Sequence, residues 1–193
     1  MNHIINFRGT NGSGKTTLAR AVMKKLKFVK EFITANGVPM QIHQAPSGDF
    51  VAVVGRYSAV NGGVDTVHKV RNLVEAVAEV ADHAHVVLEG VILSTLQTLT
   101  KDIADACHNS EFHVLTLSTP PEQCVAQTLS RRLAKGNEKP FDPERSLLPK
   151  VKAVTRAAEV LKEWGMDSRV VSQQEAFNIA CEYLQLPKQE LMK

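Results

Sequence analysis

The chain is poor in cysteine, in aromatic residues and in long apolar runs, and each shortage narrows what it can be. Its three cysteines, Cys107, Cys124 and Cys181, are an odd, scattered set without C-x-x-C spacing. That argues against a disulfide framework or a cysteine-based zinc site and for buried thiols in a reducing compartment. One Trp, two Tyr and seven Phe in 193 residues are too few to build a stacking platform for single strands. No apolar run is long enough to span a membrane. The N-terminus has no basic segment followed by a long apolar stretch, so no secretory signal is read there. A cytoplasmic chain without a membrane partner is expected. His43, His68, His83, His85, His108 and His113 show no metal-ligand spacing such as H-E-x-x-H, which assigns them to packing or to the surface. A net charge of +3 permits an anionic substrate without demanding nucleic acid. An apolar content of 44% and a charged content of 22% are those of an ordinary globular domain of this length.

Against that plain background, residues 9–16 read Gly-Thr-Asn-Gly-Ser-Gly-Lys-Thr, the pattern G-x-x-x-x-G-K-[ST] of a phosphate-binding P-loop. Gly9, Gly12 and Gly14 allow a tight turn whose backbone N–H groups face phosphate oxygens, with Asn11, Ser13 and Thr17 completing the cradle. Lys15 can reach the β- and γ-phosphates, and the Thr16 hydroxyl can bind Mg²⁺. The flanks agree. Ile4, Ile5 and Phe7 read as a buried strand before the loop, and Leu18, Ala19, Val22, Met23 and Leu26 recur after it at helical spacing.

Strand and helix patterns alternate along the chain, which predicts an α/β fold with a largely parallel sheet and helices on both faces. Expected strands lie at 38–42, placed on an edge because of Pro39, and at 50–54, 86–88, 112–117 and about 169–171. Expected helices follow Asp65, read as an N-cap, and cover roughly 95–107. Another opens at Thr119-Pro120-Pro121-Glu122, read as a capping box, with Val125, Leu129 and Leu133 on its apolar side. One more uses Leu147, Val151, Val154, Ala158 and Leu161, and a last one opens at Ser172-x-x-Glu175. A single domain over 1–187 is expected, with a lid near 132–146 and a mobile tail over 188–193. The oligomeric state is not legible.

Three further constellations carry candidate chemistry. Leu88-Glu89-Gly90 ends an apolar strand on a carboxylate, as in a Walker-B arrangement. Glu89 is therefore expected near the P-loop, as a metal ligand, through water, or as a base. Gly55-Arg56-Tyr57, continuing to Gly62-Gly63-Val64-Asp65, also follows a strand. Arg56 is a candidate phosphate ligand and Tyr57 a candidate stacking partner for a base. Asp65 is a candidate general base, with helix capping as the equal alternative. Arg131, Arg132, Lys135 and Lys139 fit a basic lid over phosphates. Neighbouring arginines point about 100° apart on a helix, so one of the two is expected to face the site, with Arg132 preferred. The alternative is a solvated helix end whose cations offset the dipole.

Taken together, these blocks resemble a group of bacteriophage P-loop kinases that act on 5-hydroxymethyluridine in DNA. The likeness rests on Asn6-Phe7-Arg8-Gly9-Thr10 with its P-loop, on Val53-Val54-Gly55-Arg56-Tyr57, on Gly62-Gly63-Val64-Asp65-Thr66, on Leu88-Glu89-Gly90-Val91, and on Thr116 to Cys124. The resemblance implies ATP- and Mg²⁺-dependent phosphorylation of the 5-hydroxymethyl group of a modified pyrimidine in DNA, priming that base for further modification. It also implies that Lys24, Lys27, Arg131 and Lys135 are candidates for contact with DNA phosphates. A nucleoside or nucleotide kinase shares the same fold and donor site. However, the loop lacks the Gly-x-Pro-Gly-x-Gly-Lys-Gly form of adenylate kinases, and no Asp-Arg-Tyr follows the second strand as in thymidylate kinases. A nucleotide-binding switch or ATPase is a third, different class.

Overall fold

The computed structural model describes residues 1–58, 62–137 and 139–188. The expected tail lies outside these from residue 189 on, as do Glu138 of the expected lid and part of the loop before Gly62. Seven strands form one sheet in the order β2-β3-β4-β5-β1-β6-β7. They are β1 (Asn2–Arg8), β2 (Lys27–Ile33), β3 (Pro39–Gln44), β4 (Phe50–Val54), β5 (His85–Glu89), β6 (Ser110–Leu117) and β7 (Asp167–Val171). β4, β5, β1, β6 and β7 run parallel to one another, while β3 pairs antiparallel with both β4 and the edge strand β2. The expected α/β fold with a largely parallel sheet is what forms.

The helices are α1 (Lys15–Met23), α2 (Leu73–Ala81), α3 (Val91–Thr95), α4 (Gln97–Ala106), α5 (Pro121–Ala134), α6 (Pro143–Ser146), α7 (Leu148–Glu163) and α8 (Gln173–Tyr183). Leu18, Ala19 and Val22 of α1 and Phe177, Ala180 and Cys181 of α8 bury one face of the sheet against Ile5, Phe7, Val53, Val87 and Leu115. On the other face, Leu73, Ala76 and Val77 of α2 and Leu99 and Ile103 of α4 pack on Ile4, Ala52, Val54, Val86 and Leu88, and α7 lies over β6 and β7. Alternate residues of the central strands β1, β4 and β5 feed the two cores, so these strands are apolar on both sides. Among the described residues no helix is long and apolar enough to cross a membrane.

Several local expectations are corrected. β2, whose Lys-Phe-Val-Lys-Glu-Phe-Ile is mostly exposed, forms the edge strand and makes β3 interior. Pro39 is tolerated there because it is the first residue of its strand, where no ladder N–H is required; its carbonyl accepts the Gly55 N–H at 2.8 Å. Asp65 does not begin α2. It lies in a 3₁₀ turn, Gly63–Thr66, and α2 starts only at Leu73. The helical region after β5 is broken at Leu96, whose backbone (φ −103°, ψ 85°) leaves the helical region, so α3 and α4 are separate. Thr119 does not cap α5, which has no side-chain cap. Leu129 and Leu133 are exposed, and Cys124 and Thr128 are the side that α5 buries. The capping box at Ser172 and Glu175 is formed as expected.

Candidate active site

β1 is central, so the loop that follows it emerges at the C-terminal edge between the ends of β5 and β6, where parallel sheets form their crevice. The turn needs glycine at Gly12 in particular. Its φ is +75°, and a Cβ there would lie 2.3 Å from the Cys124 carbonyl oxygen of α5. The Ser13 carbonyl accepts the Thr119 hydroxyl at 2.8 Å and the Gln173 amide at 2.9 Å, so loops from β6 and β7 hold the P-loop from two sides. Lys15 is buried, and its ammonium donates to the Thr10 carbonyl at 2.9 Å. Burial pulls its pKa below the ordinary lysine value, opposed by the charges of Glu89 and Asp65.

A second network stands behind the loop. Arg8, the last residue of β1, is wholly buried and donates to the Thr100 hydroxyl at 2.8 Å and the Ser94 carbonyl at 2.7 Å. The Ser94 hydroxyl accepts the Gly9 N–H at 3.0 Å and donates to the Gly90 carbonyl at 2.6 Å. Burial lowers the Arg8 guanidinium to about 10. The start of the P-loop and the end of β5 are thereby tied to one cation, whose Nε is left without a partner among the described residues.

Glu89 sits at the floor of the crevice, 1% exposed, and its Oε1 accepts the Thr16 hydroxyl at 2.9 Å. Burial pushes its carboxyl up to about 7, although the Lys15 charge and the Thr16 hydrogen bond pull it down. Gly63 explains the glycine pair upstream. At φ +68°, a Cβ on it would lie 2.3 Å from the Glu89 carbonyl and 2.6 Å from its carboxylate, so only glycine lets the turn close over Glu89. That turn carries Asp65, whose two carboxylate oxygens accept the N–H groups of Val91 and Ile92 at 3.0 and 3.2 Å. Asp65 therefore holds the first turn of α3, on the far side of β5, rather than its own helix.

These groups line one open cleft of about 610 Å³, a size suited to a nucleotide-sized ligand. Of the residues named from sequence, Asn11, Gly12, Gly14, Lys15, Thr16, Thr17, Asp65, Glu89 and Arg132 line it. Gly9 and Ser13 belong to the loop but do not line the cleft. Arg56 and Tyr57 do not line the cleft. Arg56 is exposed, and its N–H donates to the Thr66 hydroxyl at 2.9 Å. Tyr57 is buried in the core under α1, with its hydroxyl unpartnered among the described residues. Its pKa is raised by burial and by the Glu89 charge.

The far wall is α5 and the segment after it. Arg132 donates to the Asn137 side chain at 3.3 Å and the Lys139 carbonyl at 2.7 Å, and its guanidinium lies over the Phe141 ring at 5.4 Å. Arg131 lines the same cleft, and it is Arg131 whose charge acts on Lys15. The basic residues do not form a single patch. Lys24 and Lys27 fall between the C-terminus of α1 and the start of β2, at the opposite edge of the sheet from Arg131 and Lys135. Sequence reasoning passed over Arg20, Gln127, Phe141 and Lys150, which also line the cleft. It also left Arg8 without a role, although a charged residue at the end of a strand that runs straight into the P-loop was a visible signal.

No protein-family model matches the chain. It is similar to three curated phage proteins, each named "5-hmdU DNA kinase". That of Pseudomonas phage PaMx11 is 32% identical over 141 residues, covering 71% of this chain and 73% of that protein. That of Pseudomonas phage M6 is 33% identical over 141 residues, covering 68% and 73%. That of Delftia phage PhiW-14 is 28% identical over 155 residues, covering 73% of this chain and 57% of that protein.

Proposed function

The chain belongs to the 5-hmdU DNA kinase family, and from that premise we propose transfer of the γ-phosphoryl group of ATP, with Mg²⁺, to the 5-hydroxymethyl oxygen of hydroxymethyluracil in DNA. The observation that carries the donor half is the contact between Thr16 Oγ1 and Glu89 Oε1, 2.9 Å apart beside the buried Lys15. Two hard oxygen ligands of one octahedral Mg²⁺, each at about 2.0–2.1 Å and at right angles, are separated by about 2.9 Å. Thr16 and Glu89 thus fit the ion, which when bound would neutralise charge on the bridging phosphate oxygens.

In this reading the P-loop N–H groups and Lys15 hold the β- and γ-phosphates and stabilise charge as it spreads over the moving group. The hydroxymethyl oxygen forms the new bond to the γ-phosphorus, the bond to the β–γ bridging oxygen breaks, and ADP departs. The hydroxyl proton passes to a carboxylate. Asp65, the carboxylate of the cleft that the ion leaves free, is the candidate to accept it. Asp65 fixes α3 and faces the acceptor side as the second carboxylate. Arg131 meets phosphate from the far wall. Residues 132–146 act as the lid, and the whole of 1–187 as one kinase domain.

Because Lys15 and Glu89 are recessed, a pyrimidine stacked in a duplex is out of reach, and the target nucleotide enters the cleft extruded. Phosphorylation converts hydroxide, a poor leaving group, into phosphate, a good one, which primes the base for further modification. As a phage enzyme it acts in the cytoplasm of the infected cell.

The test supplies γ-labelled ATP with hydroxymethyluracil DNA, thymine DNA and free nucleoside monophosphates. Label is expected on the first alone, because thymine carries a methyl group and no hydroxyl at that position. A mismatched or single-stranded target is expected to react faster, since less pairing is lost on extrusion. Label on free nucleotides with none on modified DNA would transfer the assignment to a small-molecule kinase.

A further inference from the structure

At the opposite, N-terminal edge of the sheet, five titratable side chains converge on one face. β1 and β6 pair so that His3 stands beside Glu111, and β6 and β7 pair so that His113 stands beside Asp167. Side chains two apart on a strand share a face, so Glu111 and His113 point the same way. His3 Nδ1 lies 3.1 Å from His113 Nε2 and 3.3 Å from Glu111 Oε2, and the last two are 3.7 Å apart.

We propose that His3, Glu111 and His113 bind a zinc-class divalent ion that clasps β1 to β6. Ligand atoms about 2.0–2.1 Å from a tetrahedral Zn²⁺ stand about 3.3 Å from one another, which is the spacing of this triangle. Two imidazoles with a single carboxylate select zinc or its transition-metal neighbours over Mg²⁺, which requires more oxygen ligands.

The surroundings are those of a prepared site. Asp167 Oδ2 accepts a hydrogen bond from His113 Nδ1 at 2.8 Å. That contact fixes the His113 tautomer and leaves the Nε2 lone pair facing the triangle, as a carboxylate commonly does behind a zinc-bound histidine. Tyr183 of α8 stacks on His113 with ring centroids 3.8 Å apart, and His85 stacks on His3 at 5.5 Å. Both imidazoles are therefore held in place before an ion arrives. In the metal-free protein the His3 Nδ1–H bridges to His113 Nε2; on binding, His3 takes the tautomer with its proton on Nε2 and the ion occupies the place of that hydrogen at Nδ1. Glu111 is half exposed and gives the ion a way in from solvent, with a fourth position left to water.

The experiment strips the full chain with a chelator, removes the chelator, and adds Zn²⁺ alone without nucleotide. Calorimetry is expected to find one equivalent bound. At a free Zn²⁺ concentration near 100 times Kd, Tm is expected to rise by about 5–10 °C. Glu111→Ala, an exposed position that folding tolerates, should abolish the Tm rise. Asp167→Asn should weaken binding by about 10–100-fold while leaving all three ligands in place. Co²⁺ should give the visible absorption bands of a tetrahedral nitrogen–oxygen site in the native chain and lose them in Glu111→Ala. No Zn²⁺ binding, or binding unchanged in both Glu111→Ala and His113→Asn, would overturn the site and leave a hydrogen-bonded cluster.

Discussion

Lys15, Thr16, Asp65 and Glu89 occupy the C-terminal edge of the sheet, on or beside the loops that leave its strands. His3, Glu111, His113 and Asp167 occupy the N-terminal edge and lie within the strands themselves. The first group announces itself because a phosphate cradle requires consecutive backbone N–H groups, which forces its residues into one short, glycine-marked segment. The second is assembled by register. His3 and Glu111 are 108 positions apart and become neighbours only because β1 and β6 pair in parallel with that alignment. Spacing along the chain reveals a site when one loop or one helix carries it, and conceals it when separate strands do. The histidines looked uninformative in sequence for that reason.

The sharpest way to break this comparison is to disable one edge and read the other. Lys15→Ala should reduce phosphoryl transfer by at least about 10²–10³-fold, since it removes a cation aimed at the transferring group. Its Tm should change little, because the loop is held by its own backbone and by Thr119 and Gln173. The same variant should show the full Zn²⁺-dependent rise in Tm. Glu111→Ala should behave in reverse, with transfer intact and the Zn²⁺ response gone. Near-normal turnover by folded Lys15→Ala would remove the P-loop from the chemistry. Loss of the Zn²⁺ response in that variant would mean that the two edges are not independent.

Legibility followed the same division elsewhere. The P-loop, β1, α1, β5 ending at Glu89 and the Ser172–Glu175 box were readable because propensity, periodicity and capping agree locally. β2 was not, since the apolar residues Phe28, Val29, Phe32 and Ile33 come in pairs rather than alternating, and the strand is defined by pairing with β3. Asp65 was readable as a cap but not as the cap of α3, because the N–H groups it accepts belong to Val91 and Ile92 across the crevice. Arg131 and Arg132 both line the cleft, and helical spacing does not choose between them.

A smaller effect separates the Glu89 carboxylate from its neighbours through pH. Its folded value of about 7 lies above the ordinary 4.5, so the folded protein holds this proton more tightly than the unfolded chain does. The stability contributed by that proton is full below about pH 4.5 and is lost as pH rises through 7, a difference of about 3 kcal/mol by pH 8 and above. Glu89→Gln removes the ionisation. In chelator-treated, nucleotide-free protein its Tm should therefore exceed that of the parent by about 5–10 °C more at pH 8 than at pH 5. A Tm difference that is the same at both pH values would mean that the carboxylate is solvated and that its burial imposes no cost.

The smallest expected effects lie at the end of α5, where the proposed lid begins and two adjacent arginines line one cleft and are held differently. Arg132 is engaged by Asn137, Lys139 and Phe141, whereas Arg131 acts on Lys15 across the cleft. A charge-assisted contact to phosphate is worth about 1.5–3 kcal/mol, so Arg131→Ala should raise KM for ATP by roughly 10-fold or more while Tm stays within about 1 °C. Arg132→Ala should leave KM within about threefold, because the loss of an exposed cation–π contact and loop hydrogen bonds amounts to about 1 kcal/mol. It should instead speed proteolytic cleavage between residues 135 and 142, where the guanidinium now ties the chain down. If Arg132→Ala carried the larger KM effect, nucleotide binding would have to pull that guanidinium off its loop partners and turn it inward. Closure of the lid would then begin by breaking the Arg132–Lys139 contact rather than by moving α5 as a whole.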